Sequence, residues 1–292
     1  MALGLAVMVG LASFAVYSVY EPRAAQSTST TSSVSSTIST QQTSSPVSTD
    51  GSASIAVSKA VDYLVANFNP ATGLTSETPG SSTYWLYSDN FLAALALNHF
   101  GQRNTTLITL AADISGSINE DLRVQQLNNA ENQYMVLNAS APCQFHPSVD
   151  YTIATPDGVQ IKTTINNGTG DLSENQYADV AFLKAICLYR QNNASGALTS
   201  YNAGKGMFDG VGFRDLPYNK TGQYQTYKLA LFIYATAVLK QPMDERALSA
   251  LLIMQAQNGG FYTGYDANYS HDGTLTNTET TSLAILALSY HG

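Results

Sequence analysis

The sequence predicts an all-α protein, an α/α toroid of helical hairpins with one β-hairpin insertion, in residues 53–292. Three observations predict this fold. Amphipathic helical patterns alternate with segments that are apolar on nearly every side, glycine-containing turns separate the two, and this order recurs along the chain. A helix that is apolar all round must be buried, so each such segment needs neighbours on several sides. About five inner helices, surrounded by mostly amphipathic outer helices, would meet that need.

The first 52 residues differ from the rest of the chain. Residues 2–20 are nineteen apolar or small residues without a charge, and about 20 such residues cross a bilayer. We therefore expect a transmembrane anchor or a signal segment over residues 1–23, with cleavage of the segment as the open alternative. Residues 24–52 are dominated by Ser and Thr, which predicts a disordered stalk that holds the domain away from the membrane.

The last helical hairpin has the clearest pattern. Residues 244–257 place Leu248 and Leu251 on one helical face, and Asn258-Gly259-Gly260-Phe261 follows. Glycine there supplies the positive φ that ends many helices. Residues 278–290 then form a segment that is small or apolar on every side, which predicts a buried helix.

Earlier segments repeat the order of an outer helix followed by an inner one. The predicted pairs are 54–68 with 89–98, 104–118 with 131–138, and 193–206 with 224–240. Residues 174–190 predict a further inner helix that lacks an obvious outer partner. Before it, apolar residues alternate from Tyr151 to Ile165 around Thr155-Pro156-Asp157-Gly158, which predicts a β-hairpin insertion at about 148–166.

The last hairpin also carries a resemblance to a known family. Residues 255–261 (QAQNGGF) and 277–288 (NTETTSLAILAL) resemble the repeat of squalene cyclases and protein prenyltransferases, with Phe261 where the cyclase repeat usually has Trp. The resemblance implies an α/α toroid, and the architecture is also similar to six-hairpin glycosidases and α/α-barrel polysaccharide lyases. The sequence lacks both the acidic motif of the cyclases and the zinc ligands of the prenyltransferases, and a fold alone does not fix function.

Acidic residues recur where the inner helices are expected to begin. The recurring spacing is Asn128-x-x-Glu131, Asp171-x-x-Glu174, Gly222-x-x-Gln225 and Thr276-x-x-Glu279, while the first inner helix begins at Ser88-Asp89-Asn90. As a functional pattern, Asp89, Glu131, Glu174 and Glu279 would form a ring of catalytic carboxylates, and glycoside hydrolysis needs two of them. The alternative is helix capping, because the same spacing defines the capping box.

Aromatic residues accompany these acids. A platform for stacking on sugar rings would be formed by Trp85, Tyr87, Tyr134, Tyr177, Tyr224 and Tyr265. The alternative is that these side chains fill gaps between helices while their polar atoms reach partners or water.

The sequence also carries two kinds of covalent site. The glycosylation signal Asn-x-Ser/Thr occurs at Asn104, Asn138, Asn167, Asn193, Asn219 and Asn268. Together with the stalk, these signals predict the extracytoplasmic face of the cell membrane. In that compartment Cys143 and Cys187, the two cysteines of the chain, could form a disulfide, and two buried thiols are the alternative.

Several function classes are excluded by composition and motif. A net charge of −8 with 12% charged residues argues against nucleic-acid binding. Residues 266–272 resemble a calcium loop in part, but His271 occupies the position that needs glycine, so we expect no metal and no cofactor. Three hypotheses stay open: a hydrolase or lyase acting on a glycan, a non-catalytic domain that binds an envelope polysaccharide or protein, and a terpenoid- or lipid-binding relative of the cyclases.

Overall fold

The structure, a computed structural model, describes residues 49–124, 132–138, 141–155, 158–166, 170–271 and 273–290. These residues are predominantly helical with small sheets, in agreement with the all-α class. The α-helices are α1 (Thr49–Ala66), α2 (Tyr87–Phe100), α3 (Thr105–Val124), α4 (Ala178–Arg190), α5 (Ala194–Lys205), α6 (Leu216–Thr221), α7 (Thr226–Val238), α8 (Glu245–Ile253) and α9 (Thr278–Leu288). Two 3-10 helices cover Gly101–Arg103 and Gln133–Leu137.

The strands are short, apart from one hairpin. They are β1 (Phe68–Asn69), β2 (Leu74–Thr75), β3 (Trp85–Leu86), β4 (Ser148–Ala154), β5 (Gln160–Asn166), β6 (Tyr224–Gln225), β7 (Phe261–Tyr262), β8 (Gly264–Tyr265) and β9 (Thr276–Asn277). The sheets pair β1 with β2, β3 with β5 and β5 with β4, β6 with β8, and β7 with β9. Since β3, β6 and β9 directly precede α2, α7 and α9, paired backbone fixes where each of these helices begins.

Some sequence predictions lie outside the described residues. They are the anchor at 1–23, the stalk as far as residue 48, Glu131, Asn167 and the hairpin turn at Pro156-Asp157. Helix α1 begins at Thr49, inside the segment 24–52 that was predicted to be the stalk. Over the part of the chain that is described, none of the helices has the length and apolar character needed to cross a bilayer.

The segments predicted to be inner helices form the core. Leu229–Ala235 of α7 and Leu283–Leu288 of α9 are buried throughout, and the apolar residues of α2 and α4 join the same cluster. Burial on every side explains why these segments carry small and apolar residues all round instead of one apolar stripe.

The outer helices pack differently from the predicted pairing. Helix α3 packs on α2, α5 mainly on α4, and α8 on α7, so each follows its inner partner in sequence. Helix α1 packs on α9, at the other end of the chain. All four predicted pairs were therefore wrong about the main packing partner: 54–68 with 89–98, 104–118 with 131–138, 193–206 with 224–240, and 244–257 with 278–290. Helix α4, predicted to lack an outer partner, has one in α5. Short connections favour antiparallel packing of neighbouring helices, and the shortest connections here follow the inner helices.

Two predicted helix boundaries also differ from the structure. Helix α4 begins at Ala178, not at residue 174, because Tyr177 is extended with φ −130° and ψ 114°. The segment predicted at 131–138 is the 3-10 helix Gln133–Leu137, and its N-cap Asn132 accepts a hydrogen bond from the backbone N–H of Tyr134 at 2.9 Å.

The first and last parts of the domain are joined by hydrogen bonds. The Gln255 side chain donates to the carbonyl oxygen of Ala56 at 2.7 Å. The backbone N–H of Thr278 donates to the carbonyl of Glu77 at 2.8 Å, and the Thr278 hydroxyl donates to the carbonyl of Ser76 at 2.6 Å. These bonds fix the start of α9 against the loop that precedes α2.

The predicted β-hairpin is confirmed and has a docking partner. Strands β4 and β5 pair antiparallel over their full length, and β5 also pairs parallel with β3, where Trp85 lies opposite Ile161. Trp85 is 5% exposed and packs in a second apolar cluster with Ile153 and Ile161 of the hairpin. The hairpin therefore covers the segment that leads into α2.

Candidate functional site

Four carboxyl groups lie near enough to interact electrostatically, because Glu279 interacts with Asp89, Asp179 and Glu77; we call these four residues the acidic cluster. Asp89 is the third residue of α2, Glu279 the second residue of α9, and Asp179 the second residue of α4. Asp89 and Asp179 are buried, whereas Glu279 and Glu77 are half-buried. The prediction of acids gathered at inner-helix starts therefore holds for Asp89 and Glu279.

The surroundings of Asp89 favour the protonated form of its carboxyl. The residue is 1% exposed, and burial raises the pKa of its carboxyl well above the usual value, with Glu279 and then Glu77 adding repulsion. Its Oδ1 accepts a hydrogen bond from the Ser88 hydroxyl at 3.2 Å, while Oδ2 has no partner among the described residues. A protonated carboxyl in an apolar site is a proton donor at a pH where an exposed Asp is ionised.

Glu279 is hydrogen-bonded to the 3-10 helix Gln133–Leu137, and the pKa of its carboxyl is raised. Burial raises the pKa of its carboxyl, Asp179 and Glu77 raise it further, and a hydrogen bond from Tyr134 opposes them. The Tyr134 hydroxyl donates to Glu279 Oε1 at 2.5 Å. Burial and then Glu279 itself raise the pKa of the Tyr134 phenol well above the usual value, so Tyr134 stays protonated and acts as a donor.

The capping-box explanation of this spacing is wrong for the described copies. The N-cap of α9 is Asn277, whose side chain accepts from the backbone N–H of Thr280 at 2.9 Å. Glu279 is therefore one residue before the position that a capping box requires. The N-caps of α4 and α7, Tyr177 and Gln225, make no side-chain capping hydrogen bond.

Two members of the acidic cluster were missed by the sequence analysis. Asp179 accepts a hydrogen bond at 3.1 Å from the hydroxyl of Tyr227, the second residue of α7. Counting from the first helical residue would have found Asp179, since α4 and α9 both carry an acid at the second position. Glu77 lies in a loop, accepts from the Tyr84 hydroxyl at 2.5 Å, and has no local sequence pattern that predicts its position.

A buried ion pair lies beside this cluster and was also missed. Lys228 Nζ is 2.5 Å from Asp215 Oδ2, and both side chains are 1% exposed. Asp215 caps α6 and accepts from the backbone N–H of Ala178 at 3.1 Å. The pair thus joins the first turns of α4 and α7, and its burial makes the positive charge of Lys228 unavailable to bulk solvent.

Glu174 lies away from the acidic cluster, contrary to its predicted place in the catalytic ring. Its Oε2 accepts from the Ser200 hydroxyl at 2.7 Å and is 3.1 Å from Lys184 Nζ. Ser200 belongs to the outer helix α5. Glu174 lies in a turn before α4, because the helix begins four residues later, at Ala178. Glu174 is therefore not at the start of the helix with the other acids.

The predicted stacking platform is mostly buried. Trp85, Tyr87, Tyr134, Tyr224 and Tyr265 are buried, and Tyr177 is half-buried. Tyr224 donates to Asp209 at 2.6 Å and Tyr265 to the carbonyl of Val211 at 2.8 Å. In this conformation the gap-filling alternative accounts for the five buried rings, and only Tyr177 offers part of its surface to a ligand.

The glycosylation asparagines that the structure describes are accessible, and the disulfide is formed. Asparagines of the glycosylation signals that the structure describes are all exposed: Asn104, Asn138, Asn193, Asn219 and Asn268. Cys143 and Cys187 are joined in a disulfide with their Cα atoms 5.6 Å apart, so the alternative of two buried thiols is wrong.

The described residues contain no group of three or more His, Cys, Asp or Glu side chains arranged to hold a metal ion. Comparison of the chain with models of protein families, with curated proteins and with solved structures finds no match. The case for a function therefore depends on the geometry of the acidic cluster and on its surroundings.

Proposed function

We propose that the helices form an α/α toroid with the acidic cluster at one mouth. The packing order supports this arrangement, since α2 contacts α9, α9 contacts α7, α7 contacts α4, α4 contacts the 3-10 helix Gln133–Leu137, and that helix contacts α2. The outer helices α3, α5, α8 and α1 each pack mainly on one member of this circuit. In a toroid of this kind the starts of the inner helices gather at one end.

We also propose that the protein is a hydrolase or lyase acting on a glycan. The observation that carries this proposal is the pair Asp89 and Glu279 at the starts of α2 and α9. Burial raises the pKa of both carboxyls, Glu279 adds repulsion at Asp89, and Asp179 and Glu77 add repulsion at Glu279. Carboxyl groups in unlike environments, one kept protonated, are what general acid–base cleavage of a glycosidic bond requires.

We assign roles to three of the four acids from their exposure. Glu279 and Glu77 are half-buried and can touch a substrate, so Glu279 serves as the acid and Glu77 as the base. Glu279 would give its proton to the glycosidic oxygen as the carbon–oxygen bond breaks, and Glu77 would accept a proton from the attacking water. Asp89 is 1% exposed and cannot touch a substrate, so it acts as a positioning residue.

A specific observation favours one other function, a non-catalytic surface domain that binds a polysaccharide or an envelope protein. Five of the six predicted stacking rings are buried, which is the behaviour of structural aromatics. The third hypothesis, a terpenoid- or lipid-binding protein, has no support of this kind, because the inner helices pack tightly with small residues such as Ala93 and Ala284.

We place the domain on the extracytoplasmic face of the membrane, held by residues 1–23. The disulfide between Cys143 and Cys187 supports this proposal, because disulfides persist in oxidising compartments. The five exposed glycosylation asparagines support it as well. Native protein treated with an N-glycan-removing enzyme should lose mass, and peptide mass spectrometry should identify modified Asn104, Asn138, Asn193, Asn219 or Asn268.

The enzyme proposal is tested by release of reducing ends or unsaturated sugars from a panel of polysaccharides. Glu279→Gln and Glu77→Gln should each lower the rate about 100-fold or more, with melting temperatures close to that of the wild type. The matched control is Glu174→Gln, an acid outside the cluster, which should keep the wild-type rate. Absence of any product from the wild-type protein would favour the non-catalytic domain.

A further inference from the structure

A polar groove lies beside the start of α9, and none of the four acids of the acidic cluster lines it. It has a volume of about 540 Å³, which is within the range of small-molecule sites. We call it the amide groove and define it by Gln255, Gln257, Asn258, Tyr262, His271 and Thr274, which line it. The loop after α8, strand β7 and the segment before β9 supply these residues.

The chemistry of the amide groove points to an uncharged ligand rich in hydroxyl groups. Among the described residues, its lining contains amide and hydroxyl side chains and no Asp, Glu, Lys or Arg. An amide both donates and accepts hydrogen bonds, which suits neighbouring sugar hydroxyls. A nucleic acid would require Lys or Arg partners for its phosphates, and the described part of the lining contains neither.

The groove also has an aromatic wall. The rings of Tyr262 and His271 are stacked with centroids 3.7 Å apart and planes 9° apart. Tyr262 is half-buried, and its neighbour Leu275 is 51% exposed in the same groove. A fixed, partly exposed aromatic pair presents the apolar surface on which the C–H face of a sugar ring can rest.

Two of the three amides, those of Gln255 and Asn258, are held in place before any ligand binds. Gln255 Nε2 donates to the carbonyls of Ala56 and Gly259 at 2.7 and 3.0 Å, which leaves its side-chain oxygen as an acceptor. Asn258 donates to the Thr276 hydroxyl at 3.3 Å and accepts from the N–H of Gly260 at 3.1 Å. Gln257 is exposed. Groups that are already ordered lose less entropy on binding.

The groove is close to the acidic cluster along the chain. Thr276 lines the groove and precedes Glu279 by three residues, which can span at most about 11 Å between Cα atoms. We infer that the amide groove binds a neutral oligosaccharide and holds the part of the glycan next to the bond cleaved at Glu279. The second half of this inference rests on the proposed function, whereas the binding itself does not.

Binding is tested by calorimetric titration of the domain with cellohexaose, maltohexaose, mannohexaose and chitin hexaose. At least one of the four should bind. Gln257→Ala and Tyr262→Ala should each weaken Kd about tenfold, which is the loss expected for one good contact. Gln257 is exposed, so its variant keeps the fold even if Tyr262→Ala lowers stability. Tyr151→Ala is the matched control, since Tyr151 is 45% exposed on β4, outside the groove.

Each outcome separates the two proposals. Absence of binding to all four sugars, or equal Kd values for the wild type and both groove variants, would overturn the inference. Glu279→Gln should retain binding while losing cleavage. If the wild-type protein binds but cleaves no glycan, the groove stands and the enzyme proposal fails. If it cleaves a glycan and the groove variants keep its KM, the enzyme proposal stands and the inference fails.

Discussion

The Tyr134 hydroxyl donates a hydrogen bond of 2.5 Å to Glu279, although the two residues are 145 positions apart in sequence. This bond links the 3-10 helix Gln133–Leu137 to the first turn of α9. It also opposes the rise in the pKa of Glu279 that burial causes. The same hydrogen bond therefore contributes both to the stability of the fold and to the acidity of Glu279.

Removal of this contact should change both properties. We expect Tyr134→Phe to raise the pKa of Glu279, because the donor that favours the ionised form is lost. Loss of a hydrogen bond to a charged group should also lower the free energy of unfolding by about 1.5–3 kcal/mol. Carbon-detected NMR titration of the Glu279 carboxyl and urea denaturation measure the two effects.

Tyr201→Phe is the control for this prediction. Tyr201 is also fully buried, but its hydroxyl bonds to the neutral Thr236 hydroxyl at 2.9 Å. Its removal should cost about 0.5–1.5 kcal/mol and leave the titration of Glu279 unchanged. If both variants shift the Glu279 titration equally, the Tyr134 hydroxyl does not act on Glu279 directly.

The fold was more predictable than the site, and the helix pattern explains why. The apolar runs of α7 and α9 are visible in sequence, because burial on all sides demands apolar residues at every position. The places where α4 begins and where α5 packs depend on extended backbone at Tyr177 and on connection lengths, which hydrophobic periodicity does not report. An error of four residues at the start of α4 selected Glu174 in place of Asp179.

The remaining site residues could not be found by local reasoning. Glu77 meets Asp89 and Glu279 only because the loop before α2 is bonded to the start of α9. In the sequence, Lys228 interrupts an otherwise apolar helix, and its ion-pair partner Asp215 is identified only by the structure. Tertiary contacts between distant segments define these positions, and one sequence carries no direct record of them.

Asp89 should make the protein less stable as the pH rises. The pKa of Asp89 is raised in the folded state, so the folded protein holds a proton that the unfolded chain releases above about pH 3.9. The stabilisation is complete below that value and is lost as the pH rises through the folded pKa. Asp89→Asn cannot ionise, so its free energy of unfolding relative to the wild type should increase with pH.

Urea denaturation of both proteins from about pH 3 to about pH 7 measures this difference, in which the titration of most other groups cancels. The difference in the free energy of unfolding between the two proteins should grow by up to about 1.4 kcal/mol per pH unit between the unfolded and the folded pKa of Asp89. A gap that stays constant over the whole range would show that Asp89 titrates with an ordinary pKa.

Removal of only one partner of the Lys228–Asp215 ion pair should destabilise the protein strongly. Lys228→Met leaves the buried Asp215 carboxylate without its cation, and we expect a loss of about 3–5 kcal/mol in the free energy of unfolding. The double variant Lys228→Met/Asp215→Asn should recover part of this loss, because Asn is neutral and can still accept the capping hydrogen bond. Thermal and urea unfolding of the single and double variants measure the coupling. Additive losses would indicate that the two side chains do not interact in solution.

The contact between α1 and the loop after α8 can be tested with two glycines, one facing α1 and the other facing open space. Gly259 and Gly222 both have positive φ, +89° and +71°, so Ala at either position carries a similar backbone cost of about 1–2 kcal/mol. A Cβ at Gly222 has nothing within 4 Å, whereas a Cβ at Gly259 would lie 2.2 Å from the carbonyl oxygen of Lys59 in α1.

Gly259→Ala should therefore destabilise the protein by about 1–3 kcal/mol more than Gly222→Ala, the range typical of overpacking. The added cost arises only if α1 lies against the loop after α8, as it does when the first outer helix packs on the last inner helix. Hydrogen exchange should show faster opening of α1 in Gly259→Ala than in Gly222→Ala, because the clash forces that helix away. Equal melting temperatures and equal exchange in α1 would mean that α1 does not rest on this loop in solution.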